Sequence, residues 1–224
     1  MQCQTRAAIT CMMGFMSRTL SNTFREGYSA RGFTIPTLWL TTDTQRTPAP
    51  EAYVAHLPAG SGVILRHYGT PHRAHLATRL ATVCKRRKVM LLVSEDWRLA
   101  AKVGAHGLHL PEMRARKGPS PGARLWLRRR KGLLTTAAHG PKALARASAL
   151  KADAVFLSPI FATASHPERK ALGSVRAALM AQGAGVAVIA LGGVTAEKLA
   201  GLRALGFSGA AGIGLFDEGA RPRW

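Results

Sequence analysis

The feature that most constrains this chain is an alternation. From Thr37 onward, short apolar runs are separated by segments with helical spacing. The runs are TLWLTTD (37–43), GVILRHYG (62–69), VMLLVS (89–94) and GLHLPE (107–112), then LLTTAAH (133–139), AVFLSPIF (154–161), GVAVIALGG (185–193) and FSGAAGIGLF (207–216). Most are continuously apolar rather than alternating. That is the pattern of strands buried on both faces of a parallel sheet.

The intervening segments read as helices. HRAHLATRLATVCKRR (72–87) sets Leu76, Leu80 and Val83 on one face. DWRLAAKVG opens on an Asp suited to an N-cap and closes on Gly. GPKALARASALK (140–151) carries Pro at a helix start. SVRAALMAQG follows, then TAEKLAGLRALG, where a Lys stands in the place a capping box would give to Glu.

Eight β/α steps in one domain predict an α/β fold, a compact (β/α)8 TIM barrel. The barrel must fit into about 190 residues, below the usual size. Only DEGARPRW remains after the last run, so the last helix is expected to be short or missing. A doubly wound open sheet is the alternative. The barrel is favoured because no strand run is followed by a GxGxxG fingerprint.

Residues 34–224 therefore form the expected barrel domain. Residues 1–33 read as an N-terminal extension, expected to be disordered. Their start is acid-poor, with short apolar stretches and hydroxyl residues, which also suits a targeting peptide. Met12, Met13 and Met16 are alternative start sites.

Charge is the outlier: 32 Lys and Arg against 11 Asp and Glu give +21. That balance favours anionic partners. Two runs stand out, Lys85-Arg86-Arg87-Lys88 and Arg128-Arg129-Arg130-Lys131. Neither is interleaved with the aromatics of a stacking platform, and no nucleic-acid module is recognisable. An Arg-rich genome is the plainer account, so no specific nucleic-acid partner is expected. Cys3, Cys11 and Cys84 offer no CxxC, hence neither a disulfide framework nor a zinc site. No run approaches the roughly 18 apolar residues of a membrane span. A cytoplasmic protein without a membrane partner is expected.

In such a barrel, function sits at the carboxyl ends of the strands. Those ends are Asp43, Arg66-His67-Tyr68, Ser94-Glu95-Asp96, Glu112, His139, Ser158 to His166, Gly192-Gly193 and Leu215 to Asp217. Polar residues and glycines converge there, which defines a candidate site by pattern.

These same stretches carry a family likeness. GLHLPE, TTAAHGPKAL, ADAVFLSPIFATASH, VIALGGVT and GAAGIGLF resemble, in order, the thiamine phosphate synthase/TenI family, over residues 37 to 217. The resemblance implies a compact (β/α)8 barrel and a role in thiamine biosynthesis. It implies small phosphorylated thiazole and pyrimidine ligands. One family reaction joins a pyrimidine methyl diphosphate to a thiazole phosphate and releases pyrophosphate, with Mg²⁺. The other isomerises a thiazole phosphate carboxylate by proton transfer through a His, without metal.

Transferred residue by residue, the match is mixed. Gly192-Gly193, with Gly214 and Phe216 after the last strand, corresponds to the phosphate-binding turns. Asp217 stands where the family has Ser. After strand 2 the family's Gln, Arg and Lys become Ile64, Arg66 and Tyr68, with His67 between. After strand 3, Asn-Asp becomes Ser94-Glu95. After strand 4 the family Asp that holds Mg²⁺ becomes Arg114, and Glu112 offers a carboxylate from a shifted position. After strand 5 the family Ser is Ala137, while His139 is kept. In the loop after strand 6, Thr163 and Ser165 keep their hydroxyls, and the diphosphate Lys becomes His166. Arg169 and Lys170 follow and can offset that lost charge.

The expected substrate-binding set is therefore Arg66, His67, Tyr68, Ser94, Thr163, Ser165 and His166. The expected catalytic residues are His139 and Glu95. Glu95 is also the one expected metal ligand. Mg²⁺ wants near-octahedral oxygen ligands, and the chain offers one or two, so the Mg²⁺-diphosphate site reads as degenerate. The resemblance therefore implies an enzyme, a thiamine phosphate synthase-like transferase that joins a thiazole phosphate to a pyrimidine methyl diphosphate and releases pyrophosphate; the alternatives are a metal-free tautomerase using His139 and a non-catalytic barrel that binds a thiamine phosphate.

Overall fold

The computed structural model describes residues 29–30, 32–163 and 169–216. Eight parallel strands close into a barrel in chain order: β1 Leu38–Thr41, β2 Gly62–Leu65, β3 Met90–Ser94, β4 Gly107–Leu110, β5 Leu133–Ala138, β6 Ala154–Leu157, β7 Ala187–Leu191 and β8 Gly209–Ala211. Closure is made by β8 lying parallel to β1, with Ala210 opposite Leu38. All eight apolar runs become barrel strands, and the open-sheet alternative falls away.

The helices are α1 Pro50–Val54, α2 Arg73–Arg87, α3 Trp97–Lys102, α4 Glu112–Ala115, α5 Pro121–Arg130, α6 Pro141–Ala149, α7 Ser174–Gln182 and α8 Leu199–Ala204, the last preceded by a 3₁₀ turn, Ala196–Lys198. The capping signals act as read. The Asp96 carboxylate accepts the Leu99 amide at 2.9 Å and starts α3. Pro141 opens α6. On α2 the inward stripe is Leu76, Ala77, Leu80 and Cys84. Val83 is only half-buried, one position off that stripe. Three helices lie outside the helical segments read from the sequence: α1, α4 and α5. The segment expected after strand 8 lies outside the described residues, as does residue 31 and the chain up to residue 28. Ser29–Ala30 and Phe33–Thr34 pair as a short antiparallel ladder ahead of β1.

Strand side chains alternate between lumen and helix layer. Trp39, Ile64, Leu92, Leu133, Phe156 and Ile189 fill the lumen. Trp39 and Phe156 meet edge to face with centroids 5.3 Å apart. Gly62 is required beside them, because a Cβ there would collide with the Trp39 ring. Leu40, Val63, Leu91 and Val93 face outward onto α2 and its neighbours. Leu108, Leu134, Val155 and Leu157 do the same on the other side. Each such buried aliphatic side chain contributes roughly 1.5–3 kcal/mol. The barrel is thus a packed solid with two chemically separate ends. The strand carboxyl ends and helix starts form the mouth; the helix ends and strand starts form the base.

Candidate active site

The mouth is built in layers. Deepest is His109 on β4, which points into the lumen, touches the Phe156 ring edge-on at 5.4 Å and shares a 2.9 Å hydrogen bond with Thr135. Complete burial, with the Arg66 cation above, pushes its pKa down to about 3. It is a neutral spacer at working pH and was not expected as a site residue.

Above it lies the strand-2 cluster. Thr42 is the hub. Its hydroxyl accepts the Arg66 amide at 3.0 Å and shares a 2.9 Å hydrogen bond with His67 Nδ1. His67 is 3% exposed, and its Nε2 has no hydrogen-bond partner among the described residues. Burial holds its pKa below the usual range, so the ring is neutral. Its φ of 25° is unusual for a residue with a side chain. Nearby, burial alone would raise the Asp43 carboxyl. The amides of Arg46 and Gln45, with the Arg66 and Arg46 cations, outweigh it and hold the group below its ordinary value. Tyr68 donates to or accepts from Ser94 at 2.6 Å, and the Arg73 guanidinium lies 5.7 Å from its ring. The structure places Arg66, Tyr68 and Ser94 at one wall of the mouth, with His67 buried behind them against Thr42.

Glu95 has φ 67°, and its amide donates to the His109 carbonyl at 2.9 Å. A non-glycine residue there costs about 1–2 kcal/mol, which the surrounding structure must hold. Its carboxylate pairs with Arg114 at 3.3 Å. The residue standing where the family keeps a metal-holding Asp therefore neutralises the one expected metal ligand. Among the described residues, no three of His, Cys, Asp and Glu gather where one ion could bind them. Glu95 is thus the one residue of this wall that could hold a Mg²⁺ shared with a diphosphate, and it would have to leave Arg114 to do so.

The closest catalytic-type contact is between Glu112 and His139, 27 residues apart. Glu112 Oε2 lies 2.7 Å from His139 Nδ1 and accepts the His139 amide at 3.1 Å. Its other oxygen is 3.9 Å from Arg116. A carboxylate can only accept, so Nδ1 donates to Glu112 and Nε2 is the ring nitrogen left to meet a ligand. His139 is partly exposed at the mouth, where a base can meet a ligand. The sequence offered Glu112 only as a carboxylate in a shifted position. In the structure it orients the His, because α4 starts one residue after Pro111 and turns the first side chain toward β5.

The Gly192-Gly193 turn follows β7 with φ 91° and 62°. The loop after β6 lies directly on it. Ile160 and Phe161 amides donate to Leu191 and Gly192 carbonyls at 2.9 and 3.0 Å. A Cβ on Gly193 would strike the Ala162 carbonyl. Close backbone approach and left-handed φ both demand glycine here. Lys198 donates to the Gly193 carbonyl at 2.7 Å and sits 4.3 Å from the Phe161 ring centroid. The Lys in the capping-box position was the visible sign of this contact. Gly214 and Phe216 lie in the turn after β8; the Phe216 amide donates to Ile213 at 2.9 Å. Thr163 is half-buried on the loop. Ser165, His166 and Asp217 lie outside the described residues.

Fold and mouth together define a (β/α)8 barrel with one polar, histidine-bearing face, the class that handles small ligands at its strand ends. The chain belongs to the thiamine monophosphate synthase family, whose sequence profile matches residues 39–216. Its place is therefore in thiamine biosynthesis. It is 34% identical over 143 residues to a putative thiamine-phosphate synthase 2 of Aquifex aeolicus, covering 64% of this chain and 74% of that one. It is 35% identical over 158 residues to the thiamine-phosphate synthase of Bordetella bronchiseptica, covering 65% and 69%. In fold it is similar to a thiamine phosphate pyrophosphorylase from Pyrococcus furiosus, with TM-score 0.63 at 16% identity, covering 79% and 84%.

Proposed function

We propose that the protein binds a thiazole phosphate at its mouth and catalyses metal-free proton transfer on it, with His139 as general acid and base. The Glu112–His139 contact at 2.7 Å carries this reading. Glu112 fixes the tautomer and leaves Nε2 to take a proton at one carbon of the ligand and return it at another. The phosphate rests on the turns after β7 and β8, where Gly192, Gly193 and Gly214 offer backbone amides, Phe216 closes the second turn through its own bond to Ile213, and Lys198 adds a cation. Arg66, Tyr68 and Ser94 line the opposite wall, Thr163 stands on the loop after β6, and Ser165 and His166 follow it in the chain as further candidates. No step is assigned to Mg²⁺, because Arg114 already holds Glu95.

A second reading is the synthase reaction, joining that thiazole phosphate to a pyrimidine methyl diphosphate. The names of the relatives and the retained Arg66 favour it. One experiment separates the two. Purified protein is given thiazole phosphate carboxylate with EDTA, and the isomerisation is followed by NMR, beside a synthase assay with Mg²⁺. Metal-independent isomerisation that falls about 10²–10⁴-fold in His139→Ala supports the proposal. Condensation that needs Mg²⁺, with no isomerisation, overturns it in favour of the synthase. Tight binding of thiamine phosphate with neither turnover overturns both and leaves a non-catalytic barrel.

A further inference from the structure

The +21 charge is not spread evenly over the fold. In a barrel of parallel strands every helix ends at the base. The run Lys85-Arg86-Arg87-Lys88 closes α2, and Arg128-Arg129-Arg130-Lys131 closes α5. Lys102 ends α3, the helix between those two around the barrel. All of these residues are exposed. They form one arc along the rim, continued by Lys151 beyond α6.

The carboxylates are elsewhere. Asp43, Glu51, Glu95, Asp96, Glu112 and Glu197 all stand at strand ends or helix starts, on the mouth half. At the base, Asp153 is the one carboxylate among the described residues. It accepts the Leu134 amide at 2.7 Å. The ion pairs of Glu51, Glu95 and Glu112 all lie on the mouth half.

Helix dipoles favour a cation or two in a last turn. Two facts exceed that account. Four consecutive like charges repel one another, twice. And Lys88, Lys131 and Lys151 occupy left-handed backbone, with φ 55°, 52° and 53°. That is glycine's usual place after a helix, and each Lys there costs about 1–2 kcal/mol. Gly104 and Gly206 fill that place after α3 and α8. Cations sit on this rim against both electrostatics and backbone preference.

We propose that the base of the barrel is a docking surface for the phosphate backbone of a nucleic-acid duplex. Of the exposed large apolar side chains among the described residues, Tyr68, Met113 and Val175 lie off this rim, while Leu125 stands one turn before the α5 run and an apolar hollow lined by Cys84, Met90 and Val103 opens beside Lys85 and Lys88. The charge runs outnumber these apolar contacts, and the vesicle arm of the test below separates a membrane from a duplex. Among the described residues the rim has no exposed aromatic platform for single strands. What remains is Arg forks and Lys ammonium groups, which bind phosphates without reading sequence. The surface is remote from the mouth, so this inference stands whether or not the proposed reaction is correct.

The test is fluorescence anisotropy of a labelled 20-base-pair DNA duplex with the full chain, from 50 to 200 mM KCl. About five phosphate contacts predict a roughly 500-fold loss of affinity over that range. The variant Arg128→Gln, Arg129→Gln, Arg130→Gln, Lys131→Gly removes four base charges and puts a glycine at the left-handed cap. It should bind at least tenfold more weakly and with a shallower salt slope. Removing four charges from the mouth half and helix starts, by Arg98→Gln, Lys117→Gln, Lys142→Gln and Arg176→Gln, should change affinity less than threefold. Where the first variant fails to unfold cooperatively, Arg129→Gln with Lys131→Gly replaces it. Equal losses in both variants overturn the proposal, as does duplex affinity insensitive to salt. Binding to anionic phosphatidylserine vesicles without duplex binding overturns it in favour of a membrane surface.

Discussion

The two ends of this barrel share a backbone and little else. At the mouth, cations and carboxylates are interleaved: Arg114 holds Glu95, Arg116 approaches Glu112, and Glu112 orients His139. At the base, Lys and Arg stand almost unopposed. Both ends hold side chains in left-handed backbone. At the mouth these are His67 and Glu95, each tied to the site; at the base they are Lys88, Lys131 and Lys151, each exposed. The same conformational cost therefore serves positioning at one end and charge at the other. Local strain marks a place worth explaining, and the surroundings say what the explanation is.

The contrast can be tested from its strongest element to its weakest. His109 lies under the mouth with its folded pKa depressed to about 3, below the unfolded value. The unfolded chain takes up the proton first. Stability is then complete above about pH 6.5 and falls as pH drops toward 3, by about 4–5 kcal/mol. Urea melts between pH 7 and pH 4 should record much of that loss, and His109→Gln should flatten the profile. A wild-type midpoint unchanged over this interval means that His109 is not buried as described.

Glycines at the two ends should respond differently. Gly193→Ala drives a Cβ into the Ala162 carbonyl at positive φ, for about 2–4 kcal/mol and a melting temperature lowered by roughly 4–16 °C. Gly60 at the base has the same sign of φ but open space around it, so Gly60→Ala should cost only about 1 kcal/mol. Calorimetry that finds the two variants equal would remove the claim that the loop after β6 rests on the turn.

Glu112→Gln tests positioning at the mouth. It keeps the shape and loses the obligate acceptor. Isomerisation should fall about 10–100-fold in kcat with KM little changed, and the pH profile should shift with it. A change confined to KM places Glu112 in binding instead. The smallest effect belongs to the base. Lys88→Gly and Lys131→Gly each relieve a left-handed side chain and some repulsion, and should raise stability by up to about 1 kcal/mol, read as 2–4 °C by thermal melts.

Much of the fold is legible in the chain because its signals are local. Continuous apolar runs such as Ala154-Val155-Phe156-Leu157 announce buried parallel strands, and Asp96 and Pro141 announce helix starts. Helix α5 escaped because Gly122 interrupts its first turn, although Ser120 caps it by accepting the Ala123 amide at 3.3 Å. The inward face of α2 was misplaced by one residue, since Val83 and Cys84 are both apolar and only packing chooses between them. At the site, residue types were readable and partners were not. Glu112 and His139 come from different β/α steps, and no spacing rule links them. Arg114 was visible as a departure from the family pattern, but its grip on Glu95 is a matter of three dimensions. The charge runs were plain in the sequence, whereas their shared end of the molecule appears only when the helices are laid antiparallel to the strands.

The filled lumen has a last consequence. Trp39 crosses the space that a side chain at position 62 would need, and Phe156 stands against it edge-on. Neither water nor an ion has a route along the axis between the two faces. The barrel acts as an electrical insulator, so a phosphate-rich partner clasped below and a proton moving above would each meet their own dielectric surroundings. The dry lumen bars an ion or a proton from passing between the faces, while its low dielectric leaves their electric fields less screened than water would.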